Sequence, residues 1–225
     1  MRKGEEKRQE LLNAAEKLFC AKGYEGTSVQ DILNVAEMSK GGFYHHFASK
    51  EDVIKALCAR RAERAMAYTE DALSKADSSM GRISKADSSM GRINAVLRGF
   101  MPLRREESTF VDMLRPVMNT PEGRAIAMTY QDALETVFLP LLKAEIAAAA
   151  AVGVVCPPMK DAESMILNLV NHCWMQAVAN QIDQLDMLNL LSKYRLAVEV
   201  LMDAPYGSVE IVRVEEMDEV FNRMK

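Results

Sequence analysis

Apolar residues recur every three or four positions along most of the chain, the spacing that places them on one face of a helix. Gly and Pro residues separate these segments and mark their ends. Strand-like alternation is confined to residues 208–214. The pattern therefore predicts an all-α protein.

The pattern predicts two helices at the N-terminal end of the chain. Residues 5–22 carry the apolar face of the first, and Gly23 follows as the residue that a left-handed helix end favours. Thr27 and Gln30 have the spacing of a capping box, in which each side chain satisfies a free backbone N–H of the other residue. We therefore expect the second helix to begin at Thr27.

A third, very short helix is expected between Ser39, which can cap it, and Phe47. Ser49 can cap a fourth and longer helix. Short helices joined by tight turns are the arrangement of a helix-turn-helix, in which the recognition helix presents its N-terminal residues to the major groove of DNA. The third helix has the position of a recognition helix.

Residues 39–47 also have suitable chemistry for DNA binding. Lys40 offers a cation at the helix start, and Tyr44 can donate a hydrogen bond to a phosphate. Gly41 and Gly42 each cost a helix about 1 kcal/mol relative to Ala, but without side chains they let the backbone approach DNA closely. The alternative is that these are solvated polar residues on an ordinary short helix.

Residues 11–57 resemble the DNA-binding domain of TetR-family transcriptional regulators. The resemblance lies in an ordered set of short motifs, each of which is weak alone. Gly42 departs from the small hydroxyl residue or Ala that is often found at its position. The matching motifs are Ala15-x-x-Leu18-Phe19, Gly23-Tyr24, Gly26-Thr27-Ser28, Ile32, Ser39-Lys40-Gly41, Tyr44-His45-His46-Phe47 and Ser49-Lys50-Glu51.

The resemblance implies a three-helix DNA-binding domain over residues 1–50 and a helical ligand-binding and dimerisation domain over residues 51–225. It also implies that Thr27, Ser28 and Lys50 contact phosphate. The recognition surface that it implies consists of Ser39, Lys40, Gly41, Gly42, Tyr44, His45 and His46.

Two apolar segments near the C-terminus predict a dimer interface. Residues 160–182 are apolar on two sides, so that helix must be covered on both. One side could face a pocket and the other a partner subunit, forming with residues 186–203 a four-helix bundle across a two-fold axis. The resemblance implies the same use of these helices.

A ligand pocket is expected in the same domain. Sixteen methionines suit an adaptable apolar cavity, because Met fills irregular space, although each candidate is equally well explained as a core residue. The candidates are Phe110, Met113, Met118, Tyr130, Phe138, Asn171, Trp174 and Met175.

Two further sequence features lie between the DNA-binding segment and the C-terminal helices: a repeated decapeptide and two predicted helices. Residues 74–83 and 84–93 are identical, which we interpret as a duplication tolerated in a surface loop or a helix junction rather than a functional repeat. A helix is expected around 108–118, and a long one over 122–152 that Pro140 should kink.

Charge and composition narrow the function classes. The net charge is −4, but residues 1–65 hold 12 Lys and Arg against 10 Asp and Glu, whereas the remainder holds 16 against 22. A mildly basic N-terminal segment on an acidic body is compatible with one DNA-contacting face. Without a membrane-span or signal-peptide pattern, we expect a cytoplasmic protein.

The cysteines and histidines do not predict a metal site or an enzyme. The four cysteines are scattered without Cys-x-x-Cys pairing, which favours reduced, mostly buried thiols. Two of the three histidines lie in the predicted recognition helix, leaving few groups for catalysis. We expect no metal, no cofactor and no enzymatic activity.

The sequence thus predicts a homodimeric transcriptional regulator. The expected function is repression at a palindromic double-stranded operator, released when a small apolar effector binds the C-terminal domain and shifts the population of dimer states. The fourth helix is expected to carry that change. The alternatives are a DNA-binding dimer without a ligand and, less favoured, an all-helical enzyme.

Overall fold

A computed structural model describes residues 3–78, 85–101, 113, 115–180 and 184–212. Those residues are helical with short connections and contain no strand, which confirms the all-α prediction. A 3-10 turn covers Arg115–Val117. The helices are α1 (Lys3–Lys22), α2 (Val29–Val35), α3 (Lys40–His46), α4 (Lys50–Ser78), α5 (Lys85–Phe100), α6 (Pro121–Ala151), α7 (Ala162–Asn180) and α8 (Gln184–Met202).

The chain divides into two compact units. The first combines residues 1–61 with 106–130, and the second combines 62–105 with 131–225. Helices α4 and α6 each contribute residues to both units. The domain boundary after residue 50 coincides with the start of α4 and stays a prediction.

The core of the first unit is formed by the apolar faces of its helices. Gly23 ends α1 with φ +76, the left-handed conformation that the sequence predicts there. The predicted α1 stripe of Leu11, Ala15, Leu18 and Phe19 is buried. Around it lie the other buried apolar side chains of this unit, including Ile32 and Leu33 of α2, Phe43 of α3, Phe47, and Val53, Ile54 and Leu57 of α4.

A partly buried ion cluster joins α1 to α4. Arg60 Nη2 lies 2.6 Å from one carboxylate oxygen of Glu16, and Arg61 Nη2 lies 2.5 Å from the other. The Arg61 side chain is only 2% exposed. Because the desolvation of such a cluster offsets most of its attraction, we infer that it fixes the alignment of the two helices more than it adds stability.

Close helix packing defines the second unit. A Cβ added to Gly99 of α5 would lie 1.9 Å from Thr69 Oγ1 of α4, so only glycine fits at this crossing. Beside it, the rings of Phe100 and Phe138 meet edge to face with centroids 5.7 Å apart. These contacts bring α4, α5 and α6 together.

The second copy of the duplicated decapeptide is part of this core. Residues 85–93 belong to α5, where Met90 is buried and Ile93 is fully buried. The surface-loop alternative is therefore wrong for this copy, because its apolar residues have the helical spacing that α5 buries. The helix-junction alternative agrees with the end of α4 and the start of α5 in the two copies. In the first copy, residues 74–78 end α4, and residues 79–84 lie outside the described part.

Most other predicted helices are confirmed. Helix α6 continues through Pro140 and ends one residue from the predicted position, whereas most of the helix expected around 108–118 lies outside the described residues. After α8, residues 208–212 form no strand, and Val209 and Ile211 are buried. The rest of the tail lies outside the described residues.

None of the four cysteines, all of which lie within the described residues, forms a disulfide. Cys58 and Cys173 are buried, and burial raises the pKa of each thiol to about 12, which makes them unreactive. Cys20 and Cys156 are exposed, so the expectation of mostly buried thiols holds for only two of the four. Within the described residues, no helix combines the length and apolar character that crossing a bilayer requires.

The salt bridge between α5 and α6 provides a stability test. Arg92 pairs with Glu145 through Nε–Oε2 at 2.8 Å and Nη2–Oε1 at 2.6 Å, and Glu145 is 9% exposed. We expect Arg92→Ala to lower the free energy of unfolding by about 3 kcal/mol, since it leaves a buried carboxylate unpaired. Chemical denaturation of Arg92→Ala, Glu145→Ala and the double variant measures the coupling. Strictly additive losses would contradict this account.

Candidate nucleic-acid interface

Helix α2 is capped one residue later than the sequence predicts. Ser28 is the N-cap: its hydroxyl accepts a hydrogen bond from Asp31 N at 3.1 Å, and the Asp31 carboxylate accepts one from Ser28 N at 2.9 Å. The predicted Thr27–Gln30 capping box is therefore wrong, and the Gln30 amide instead donates to Asn34 at 2.9 Å. The adjacent Ser-x-x-Asp pattern was the signal that the prediction missed.

Thr27 is placed inside the turn before α2. Its side chain is 1% exposed, and its hydroxyl donates to the Gly23 carbonyl at 2.8 Å. This hydrogen bond holds the turn that ends α1, so the structure shows a positioning role for Thr27. Its phosphate contact stays a prediction, whereas Ser28 is exposed beside it.

Helix α3 begins at the predicted cap. The Ser39 hydroxyl accepts a hydrogen bond from Gly42 N at 3.2 Å, and Phe47 ends the helix. A Cβ at Gly42 would lie 2.9 Å from Met38 Cγ, whereas one at Gly41 would meet nothing within 4 Å. The close approach of Met38 thus explains why a glycine stands at position 42. Gly41 has no such neighbour and leaves the backbone open to solvent.

One side of α3 is polar and exposed, and the other is buried. Lys40, Tyr44 and His45 are exposed, His46 is half-buried, and Phe43 is fully buried. The ring of Tyr44 stands edge to face on that of Phe43, with centroids 5.3 Å apart. Phe43 therefore anchors the helix and supports the exposed Tyr44 ring.

Lys50 is held by Tyr24, a residue to which the sequence assigned no role. The Lys50 ammonium donates to the Tyr24 carbonyl at 2.9 Å and lies 4.1 Å from the centroid of its ring. Burial, followed by the negative charge of Glu51, raises the pKa of the Tyr24 hydroxyl. An ammonium has three donors, so Lys50 can keep this contact and still bind a phosphate.

The residues predicted to line a ligand pocket are divided between the units. Met113, Met118 and Tyr130 lie in the first unit and are buried. In the second unit, Phe138, Asn171 and Trp174 are buried and Met175 is half-buried. Phe110 lies outside the described residues.

The side-chain amide of this set, that of Asn171, is hydrogen-bonded to other side chains of the protein. Trp174 Nε1 donates to Asn171 Oδ1 at 2.8 Å, and Asn171 Nδ2 donates to Gln131 Oε1 at 2.7 Å. Asn171 therefore orients the Trp174 indole within the second unit.

An apolar face lies on α7 and α8 of the second unit. Met165, Leu196 and Val200 are 47%, 49% and 65% exposed, and with Leu169 and Ala197 they line a shallow apolar groove. Exposed apolar side chains grouped in this way are typical of a surface that another chain covers.

Comparison with known proteins identifies the N-terminal unit. Residues 11–57 match the model of the bacterial regulatory proteins of the tetR family. The chain thus carries a segment, residues 11–57, that is similar to the DNA-binding domain of that family. Helix α3 lies inside the matched segment, and its role as the recognition helix stays a prediction.

Curated relatives match short segments of this chain. The HTH-type transcriptional repressor DhaR of Mycobacterium sp. (strain GP1) is 50% identical over 44 residues, which are 20% of this chain and 22% of DhaR. The HTH-type transcriptional regulator UidR of Escherichia coli (strain K12) is 40% identical over 60 residues, which are 27% of this chain and 31% of UidR. The matches thus span less than a third of these relatives' lengths.

Solved structures share the fold over most of this chain. Salmonella enterica GusR superposes with a TM-score of 0.54 and 20% identity over 88% of this chain and 96% of GusR. RolR, solved in complex with resorcinol, gives a TM-score of 0.59 and 16% identity over 99% of this chain and 96% of RolR. At this identity the likeness establishes the fold.

The α2 cap predicts a pH dependence. Hydrogen bonds from the backbone and hydroxyl of Ser28, and then from Lys22, lower the pKa of Asp31 to about 2. Because the folded pKa lies below the unfolded one, the stabilisation is complete above about pH 4 and is lost as the pH falls towards 2. NMR titration of the carboxyl carbon should show this pKa, and Ser28→Ala should raise it. Gln30→Ala is the control and should leave the pKa of Asp31 unchanged. A changed pKa in that variant would support the Thr27–Gln30 capping box instead.

Proposed function

We propose that this protein is a homodimeric transcriptional regulator that represses genes by binding a palindromic DNA operator through α3. The observation that carries the proposal is the exposed polar side of α3, with Lys40, Gly41 and Tyr44 displayed on a helix that Phe43 anchors. Within a TetR-family domain, that side is the surface expected to enter the major groove. Because operator DNA lies there, we place the protein in the cytoplasm.

The side chains around α3 suit distinct DNA contacts. Lys40 and the two histidines can donate to base edges or phosphates, and Gly41 lets the backbone approach without a Cβ. Lys50, held by Tyr24 at 2.9 Å, presents its ammonium in a restricted position. We assign Ser28 and Lys50 to phosphate contacts that orient the domain.

The apolar face of α7 and α8 supports dimerisation. Val200 and Leu196 are about half or more exposed in one chain, and a second copy would cover them in the four-helix arrangement that the sequence predicts. A two-fold dimer presents two recognition helices to half-sites about 34 Å apart. This geometry requires a palindromic operator.

We further propose that a small apolar effector weakens DNA binding. The fully buried Trp174 and Phe138 of the second unit supply apolar surface of the kind that such a ligand contacts. The solved complex of RolR with resorcinol is consistent with effector binding on this fold. A ligand that prefers one dimer state reduces affinity by its difference in affinity for the two states.

A DNA-binding dimer without an effector is the second candidate. The observation that favours it is that both polar atoms of the Asn171 side chain are hydrogen-bonded within the protein, to Trp174 and Gln131, which is typical of a packed core. The relatives that match are named as regulators, so we assign no catalytic role to any residue.

Substitutions in α3 test the DNA-binding proposal. We expect Lys40→Ala combined with Tyr44→Ala to lower operator affinity at least about a hundredfold, since each removes a direct contact. Lys50→Gln should reduce the slope of log affinity against log salt concentration by about one, because one phosphate contact is lost. Fluorescence anisotropy with DNA selected from a random pool, over a series of salt concentrations, measures both effects.

The control for charge is Lys17→Gln, which removes an exposed cation of α1 outside the proposed interface and should leave affinity unchanged. Circular dichroism and light scattering must show that all variants remain folded and keep their oligomeric state. Unchanged affinity of the Lys40 and Tyr44 double variant would rule out α3 as the recognition helix.

The apolar face provides a separate test of the dimer. We expect Leu196→Glu and Val200→Glu to weaken self-association at least about a hundredfold, because each would bury an unpaired charge. Val152→Glu makes the same change at a side chain that is 52% exposed outside the groove, and it should leave the dimer intact. Sedimentation equilibrium measures the dimer dissociation constants. If both groove variants keep the wild-type constant, this interface is refuted.

A further inference from the structure

A cation stands in line with the buried stripe of α1. Arg8 precedes Leu11 by three positions and Leu12 by four, the spacing that brings side chains onto one helix face. Both leucines are fully buried, whereas Arg8 is half-buried. Its aliphatic stem thus extends the apolar stripe, while its guanidinium stays at the edge of the first unit.

The Arg8 guanidinium lies at the end of the candidate recognition helix. Its Cζ atom is 5.2 Å from the centroid of the Phe47 ring, and Phe47 is the C-cap of α3. The face of the ring attracts the cation, and the free carbonyl groups at a helix C-terminus favour a positive charge. Arg8 is therefore held beside α3, although it belongs to α1.

The N–H donors of Arg8 are not used within the described part of the chain. No residue described there gives its guanidinium a hydrogen bond or an ion pair. Arg60 and Arg61, which also lie against α1, are both paired with Glu16. Because a guanidinium has five N–H donors, Arg8 keeps donors for a group that these residues do not supply.

The carboxylates near Arg8 are engaged elsewhere or lie across the helix. Glu5 accepts a hydrogen bond from Gln9 at 2.9 Å, and Glu10 pairs with Lys7 at 2.5 Å. The residues two positions away on either side, both glutamates, lie on the opposite side of the helix. The charge of Arg8 thus remains available to an anion.

We propose that Arg8 is a further DNA contact, whose guanidinium binds a backbone phosphate beside the groove that α3 enters. A guanidinium matches a phosphate with two parallel hydrogen bonds, and the Phe47 ring holds it in position. Lys50 is held in the same way by Tyr24, beyond the other end of α1, so the two cations bind different phosphates. This inference rests on the proposed function and adds a contact that orients α3 without reading sequence.

Arg8→Met tests this contact, because methionine keeps an apolar stem against Phe47 and removes the charge. Anisotropy with DNA selected by the wild-type protein should show roughly tenfold weaker binding for each half-site at 0.1 M salt. The slope of log affinity against log salt concentration should fall by as much as in Lys50→Gln. Arg8→Lys keeps a cation and should retain the slope.

Lys7→Met is the matched control. It removes the same charge from the adjacent position of α1, but Lys7 already pairs with Glu10, so the slope should not change. Circular dichroism must show that each variant is folded, and Arg8→Gln serves as a second neutral variant. An affinity that falls while the slope keeps its wild-type value would mean that Arg8 only supports α3 through Phe47, and it would overturn the proposal.

Phosphate ethylation interference locates the contact. Ethylation neutralises one phosphate at a time, and the phosphate bound by Arg8 should matter to the wild-type protein but not to Arg8→Met. Phosphates bound by other residues should matter to both proteins. Identical interference patterns would refute the Arg8 contact and leave DNA binding through α3 intact, whereas a wild-type protein that binds no DNA would overturn the proposed function as well.

Discussion

The presentation of α3 depends on the burial of Phe43. A helix of seven residues is too short to be stable alone, and two of its residues are glycines. Phe43 is fully buried in the first unit, and Phe47 is buried at the C-cap. These contacts, together with the Ser39 cap, fix the side of α3 that faces solvent. Everything proposed for DNA recognition follows from that orientation.

Polar groups set the finer geometry of both units. The turn before α2 is held by the buried hydroxyl of Thr27 and by the Ser28–Asp31 cap, while Glu16 aligns α1 with α4 through Arg60 and Arg61. The second unit uses Asn94, which is hydrogen-bonded to Ser208 and Glu210, and Asn171 similarly. Such groups are costly to bury unpaired, so each paired one specifies a single arrangement.

The helices and most helix ends could be predicted because their signals are local. Gly23, Ser39 and Ser49 lie where the backbone needs a left-handed residue or a cap. The cap of α2 was assigned to Thr27 instead of Ser28 because both residues are good caps. Only the fold buries Thr27 and exposes Ser28. The role of Tyr24 was missed because its partner Lys50 lies 26 residues away.

By itself, the sequence determined the helical class, the order of the short helices and the chemistry displayed on α3, because periodicity, caps and residue types act over a few positions. Tertiary structure alone decided which polar residues are consumed internally and which remain exposed. It placed Gly42 against Met38, Ile93 of a repeated segment in the core, and Arg8 on the ring of Phe47. These outcomes depend on contacts between distant segments, and no local pattern encodes them.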